Sequence, residues 1–125
     1  MKVLLLEGDE ELQQALAESL AGAGHDIVCT RTTKDARILT RESEWHALVA
    51  DIVTPSRDGF EFIGEFRRIR PRATVVAIYG GGDLLEGTLF LPMAHSFGAD
   101  AVLKRPFLFS DLLEAIEKGR RSAAT

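Results

Sequence analysis

Asp51 closes the apolar run Val49-Ala50, and Pro55 and Asp58-Gly59 follow it at short offsets. A carboxylate at the tip of a buried strand, then a rigid turn, then a new helix N-terminus, makes a candidate reaction site. Other reactive side chains also stand just past apolar runs: Glu7 and Asp9 after Val3 to Leu6, Tyr79 after Thr74 to Ile78, and Lys104 and Arg105 after Ala101 to Leu103. If those strand ends meet, a carboxylate cluster faces one or two cations. Acids sharing a pocket raise one another's pKa values, and either a hard divalent cation or a basic side chain relieves that repulsion. Mg²⁺ suits such a place because it takes carboxylate oxygens and bridges to phosphate. Beside a metal and a cation, an aspartate can act as a nucleophile toward phosphorus and become an aspartyl phosphate. The metal would neutralise charge on the transferring group. The plainer alternative makes each acid a solvated strand end or a helix cap. Glu10 and Asp58 are read that way, Asp58 forming a capping box with Glu61. Asp51 is read as the reactive acid.

These residues need elements to position them. Val3 to Leu6 reads as a strand buried on both faces. Asp9 or Glu10 starts a helix carrying Leu12, Leu16 and Leu20, closed by Gly22 and Gly24. Asp26 to Thr30 is a second strand, Thr33 to about Arg41 a second helix, and Ala47 to Ala50 a third strand ending at Asp51. Phe62, Ile63, Phe66 and Ile69 give the third helix its apolar stripe, and Pro71 stops it. Thr74 to Ile78 is the fourth strand, followed by a flexible Gly80-Gly81-Gly82-Asp83 loop. A fourth helix lies within Leu84 to Phe97, its limits blurred by Gly87 and Pro92, and Gly98 ends it. Ala101 to Leu103 is the fifth strand, and Ser110 or Asp111 opens the last helix. Five alternations of short apolar strand and helix predict an α/β domain with a parallel sheet covered on both faces. The doubly wound, flavodoxin-like order 2-1-3-4-5 follows, with its site beyond the carboxyl ends of strands one and three.

The whole chain agrees with this frame. Its 125 residues suffice for one core and are read as a single domain, 1–125, with a frayed tail over 120–125. A net charge of -4 gives no reason to expect nucleic-acid binding. No apolar run approaches a membrane span, and Met1 to Leu6 is too short for a signal peptide. The single cysteine, Cys29, excludes an internal disulfide and fits a reducing cytoplasm; it is read as a small buried hydrophobe. His25, His46 and His95 share no metal-ligand spacing and are read as structural or surface residues. Arg67, Arg68, Arg70 and Arg72 are read as a solvated helix end.

Over residues 2 to about 118 the chain resembles the receiver domain of two-component response regulators. Asp51-x-x-x-Pro55-x-x-Asp58-Gly59 is similar to the family's phosphoacceptor stretch. Gly98-Ala99-Asp100-Ala101-Val102-Leu103-Lys104-Arg105-Pro106-Phe107 is similar to its strand-five signature. The resemblance implies that Asp51 accepts a phosphoryl group from a sensor histidine kinase or phosphotransfer protein. It implies that Glu7, Asp51 and the backbone carbonyl of Val53 hold Mg²⁺, with Asp9 as a further candidate ligand. It also implies a cis Arg105-Pro106 bond and output through a downstream protein partner, with a homodimer as another candidate assembly. A receiver of this kind is a signalling protein, catalysing at most its own phosphorylation and dephosphorylation.

Four positions depart from the family pattern. Gly8 stands where a second acid and direct metal ligand is usual. Tyr79 replaces a short hydroxyl residue, Arg105 replaces a lysine, and Val102 replaces the usual aromatic switch. Arginine keeps the charge but presents a planar fork in place of a compact ammonium. Lys104, one residue earlier, should face the other side of its strand. The leading expectation is a phosphorelay receiver using Asp51, Arg105 and Tyr79, with Mg²⁺ binding weakened at Gly8. The alternative is a receiver-like interaction module that works without phosphorylation.

Overall fold

The computed structural model describes residues 1–53, 56–80 and 90–124, with the backbone alone at residue 90 and over 119–124. Pro55 and the Gly81 to Gly87 portion of the glycine-rich loop and fourth helix, singled out in the sequence, lie outside the described residues. Five strands, β1 (Lys2–Leu6), β2 (Asp26–Thr30), β3 (Ala47–Asp51), β4 (Thr74–Tyr79) and β5 (Ala101–Lys104), form one parallel sheet in the order β2-β1-β3-β4-β5. They alternate with α1 (Glu10–Gly22), α2 (Thr33–Glu42), α3 (Gly59–Ile69), α4 (Phe90–Phe97) and α5 (Phe109–Ala124). The expected architecture and strand order are therefore the observed ones.

Strand alternation splits the core into two layers. Val3 and Leu5 of β1, Ala47 and Val49 of β3, and Val76 and Ile78 of β4 pack with Leu16 and Leu20 of α1 and Leu112 and Ile116 of α5. Leu4, Leu6, Leu48, Ala50, Val75 and Ala77 point the other way, against Ala36 of α2, Phe62, Ile63 and Phe66 of α3, and Ala94 of α4. The central strand β3 is buried throughout, so its one acid is held in an apolar surround.

Two expectations need correction. Cys29 is exposed, because β2 is an edge strand and this residue faces outward. Arg67 and Arg70 are not a solvated helix end. Arg67 donates to the carbonyls of Pro71, Ala73 and Gly98 and pairs with Asp100 at 2.6 Å. Arg70 donates through Nε to the carbonyl of Thr40 in α2. The backbone of α5 continues as helix to Ala124. Arg120, Arg121, Ala123 and Ala124 are good helix formers, and no proline or glycine interrupts them.

Candidate functional site: an acid pair bridged by Arg105

The alternation that divides the core also builds the site. Glu7 continues the Val3–Leu5 side of β1, Asp51 continues the Ala47–Val49 side of β3, and Arg105 continues the Ala101–Leu103 side of β5. All three leave the same edge of the sheet on the side of α1 and α5. Tyr79 has the opposite parity, and its ring packs with the layer formed by α2, α3 and α4. Its backbone carbonyl accepts the Arg105 N–H at 2.8 Å, which fixes where the arginine leaves the strand. The Arg105–Pro106 peptide is cis, as the resemblance implied.

Glu7 and Asp51 are both buried, with 2% and 6% of their surface exposed. A single nitrogen of Arg105, Nη2, donates to Asp51 Oδ2 at 2.7 Å and also to Glu7 Oε1. The remaining oxygens are also engaged. Asp51 Oδ1 accepts the Val53 N–H at 3.0 Å, and Glu7 Oε2 accepts the Asp9 N–H at 3.2 Å. The Glu7 main chain is pinned in turn. Its N–H donates to Thr30, and the Gln13 amide of α1 donates to the carbonyls of both Glu7 and Thr30. Burial, reinforced by the neighbouring Asp51 charge, pushes the Glu7 carboxyl up to about 7, although the Asp9 amide and Arg105 pull it down. Burial also works against the Arg105 charge, but Asp51 and Glu7 outweigh it and hold the guanidinium above its ordinary value.

The other sequence-selected residues fall elsewhere. Asp9 is the N-cap of α1, its Oδ1 accepting the Leu12 N–H at 3.1 Å. Val53 is half exposed beside Asp51. Lys104 is exposed, one step out of phase with Arg105. His46 accepts the Lys2 N–H through Nδ1, and His95 Nδ1 lies 2.9 Å from the Ala99 carbonyl, both structural roles.

Asp58 overturns its expected role as a cap. It stands at the N-cap position of α3 but makes no side-chain cap bond. Its carboxylate instead accepts from Ser56 at 2.5 Å, from the buried Thr33 hydroxyl at 2.9 Å, and from Arg37 Nη1 at 2.7 Å. A charge-assisted bond to guanidinium outcompetes a neutral helix amide. Arg37 then reaches Glu65 through Nε at 2.6 Å. This network straps the segment after Asp51 onto α2 and α3. Sequence reasoning missed Gln13, Thr33, Arg37 and Ser56, because each acts on a partner distant in sequence or on a turn whose course is set by the fold.

Whether these residues suit Mg²⁺ is decided by the donor set. A hard cation needs several free oxygens. Here all four carboxylate oxygens of Glu7 and Asp51 accept protein N–H groups, the third acid is replaced by Gly8, and Asp9 is turned to its helix. No group of three His, Cys, Asp or Glu residues able to hold a metal occurs among the described residues. As arranged, the pocket does not fit the ion.

Comparison with known proteins agrees with the fold. No model of a protein family matches the chain. It is 29% identical over 122 residues to the response regulator receiver protein CpdR of Brucella abortus, covering 94% of each chain. It is 32% identical over 121 residues to the transcriptional regulatory protein PdtaR of Mycobacterium tuberculosis, covering 93% of this chain and 55% of that protein. A response regulator of Burkholderia pseudomallei, whose crystal structure holds a phosphorylated aspartic acid and a calcium ion, matches with a TM-score of 0.82. The match is 17% identical and covers 98% of this chain and 70% of that one. The chain is a receiver domain of the response-regulator family. It spans between 24% and 55% of the length of the longer curated relatives it matches.

Proposed function

We propose that this receiver takes part in two-component or phosphorelay signalling, with Asp51 as the phosphoryl acceptor. The observation that carries the reading is the buried Asp51 carboxylate at the carboxyl end of the central strand, with a guanidinium 2.7 Å away. An oxygen of Asp51 attacks phosphorus of a phosphohistidine or a small acyl phosphate. The bond from phosphorus to the donor breaks, its electron pair leaves with the donor, and an aspartyl phosphate remains. Each Asp51 oxygen accepts one hydrogen bond, and its second lone pair is the one that attacks. Arg105 is suited to hold the transferred group, since a guanidinium binds phosphate oxygens as readily as carboxylate. Its Nε is buried with no partner among the described residues and could donate to such an oxygen. Tyr79 helps by anchoring Arg105 through its carbonyl. Mg²⁺, which Glu7, Asp51 and the Val53 carbonyl would share, could enter only by displacing Arg105. A sensor histidine kinase or phosphotransfer protein supplies the group, and output runs through a protein partner or a second copy of the chain. The face built by α4, β5 and α5, with Leu91 and Leu108 exposed, is the surface available for it. No helix among the described residues is long and apolar enough to cross a membrane, and a cytoplasmic setting suits this role.

Incubation with acetyl phosphate followed by intact-mass measurement tests the acceptor. A phosphoryl adduct that Asp51→Asn lacks is the expected result, and the absence of any adduct in the native chain would overturn the reading. A second reading, an interaction module that works without phosphorylation, is favoured by one observation: every oxygen of the acid pair is already satisfied. It predicts no adduct, and partner binding that is unchanged in Asp51→Asn.

A further inference from the structure

The acid pair presents an electrostatic problem whose answer here is internal. Two carboxylates at neighbouring strand ends, almost without access to water, need a positive charge between them. Arg105 supplies it through one nitrogen that donates to both, and main-chain amides satisfy the two outer oxygens. The guanidinium is itself anchored from behind, through the bond from its main-chain N–H to Tyr79. Just outside the pair, Gly8 offers no third acid. A side chain begun there would have room, since its first carbon would find only the Arg31 carbonyl nearby, at 3.8 Å.

We propose that Arg105 is the resident counter-cation of this pocket, standing where a divalent metal would otherwise sit, so that the native chain neutralises its acid pair without Mg²⁺. The statement about the metal stands on the geometry alone. The corollary, that transfer to Asp51 proceeds in the presence of a chelator, rests on the acceptor reading above. Charge balance favours the exchange. A guanidinium carries one positive charge over a fixed planar fork, and it costs no dehydration of a tightly held water shell, which Mg²⁺ must surrender.

The test is a titration of the ¹⁵N-labelled full chain with MgCl₂ at constant ionic strength, reading the amides of Gly8, Asp9 and Val53. The native protein should give no saturable response at millimolar Mg²⁺. Arg105→Gln should gain one, and adding Gly8→Asp to it should tighten binding on the order of tenfold, because ligand charge sets affinity in such sites. If Arg105→Gln does not fold in metal-free buffer, Mg²⁺ should restore its dispersed amide spectrum. Saturable binding by the native chain would overturn the proposal. So would failure of the folded Arg105→Gln chain to take the metal even with Gly8→Asp, or failure of Mg²⁺ to rescue an unfolded one. Loss of the Asp51 adduct in the mass experiment sinks the acceptor reading but leaves the titration result intact, so the two failures are told apart.

Discussion

Gly59 at the start of α3 lies directly against the backbone of Ile52, with the Ile52 carbonyl oxygen, carbonyl carbon and Cα all crowding the place a Cβ would occupy. The contact draws the first turn of α3 onto the end of β3, one residue past Asp51. Gly59→Ala must push the helix and the strand end apart. Overpacking of this kind costs about 1–3 kcal/mol, and the upper end is expected here because the obstacle is backbone. Urea unfolding of the variant checks the loss, and the amide of Val53, which bonds to Asp51, should shift with it.

The Glu7 carboxyl gives stability a pH dependence of definite sign. Its pKa rises from an ordinary 4.5 to about 7 on folding, chiefly through burial and then through Asp51. The folded state therefore binds the proton more tightly than the unfolded chain. The resulting stabilisation is full below about pH 4.5 and is lost as pH rises through about 7. Glu7→Gln should flatten this part of the stability–pH curve. A Glu7→Gln chain whose stability falls between those values as steeply as the native one would remove Glu7 as the cause.

Asp58 acts in the opposite direction. Burial works to raise its pKa, but hydrogen bonds from Ser56, Arg37 and Thr33 prevail and hold it at about 2, below its ordinary 3.8. Its contribution is present above about pH 4 and is lost as pH falls toward 2. Asp58→Asn should cost on the order of 1–2 kcal/mol at neutral pH, discounted for partial exposure of the cluster. Arg37→Ala should produce much of the same loss, and the double variant should cost less than the sum, since both remove one network.

Arg67 closes the far side of the domain. It binds three carbonyls and the Asp100 carboxylate, which also accepts the Val75 N–H at 2.8 Å. Arg67→Ala takes the guanidinium donors from the three carbonyls and leaves Asp100 only the Val75 N–H, and it should cost about 2 kcal/mol. Hydrogen exchange should quicken in β5 and at the Val75 amide while α1 remains protected.

Much of the fold is legible in the chain itself. Val3 to Leu6 and Ala47 to Ala50 are short apolar runs with no helical period, and Leu12, Leu16, Leu20 or Phe62, Phe66, Ile69 recur at helical spacing. Those patterns state which faces must be buried, and five alternations leave few ways to bury them. The buried position of Asp51 at the end of β3 was legible too, because the acid closes an apolar run. Strand parity even anticipates that Arg105 and not Lys104 points with Asp51.

Only the tertiary structure decided what each charge is paired with. Arg105 lies 54 residues from Asp51 and 98 from Glu7, and Thr33 lies 25 from Asp58. A side-chain hydrogen bond forms within about 3 Å, so its partner is set by which strand ends the sheet order brings side by side. The sequence alone left both a metal and a basic side chain open as the neutralising charge for the acids at the sheet edge. The packing of β5 beside β4 at that edge brings in the basic side chain, because it carries a guanidinium on a fixed backbone into contact with both Glu7 and Asp51.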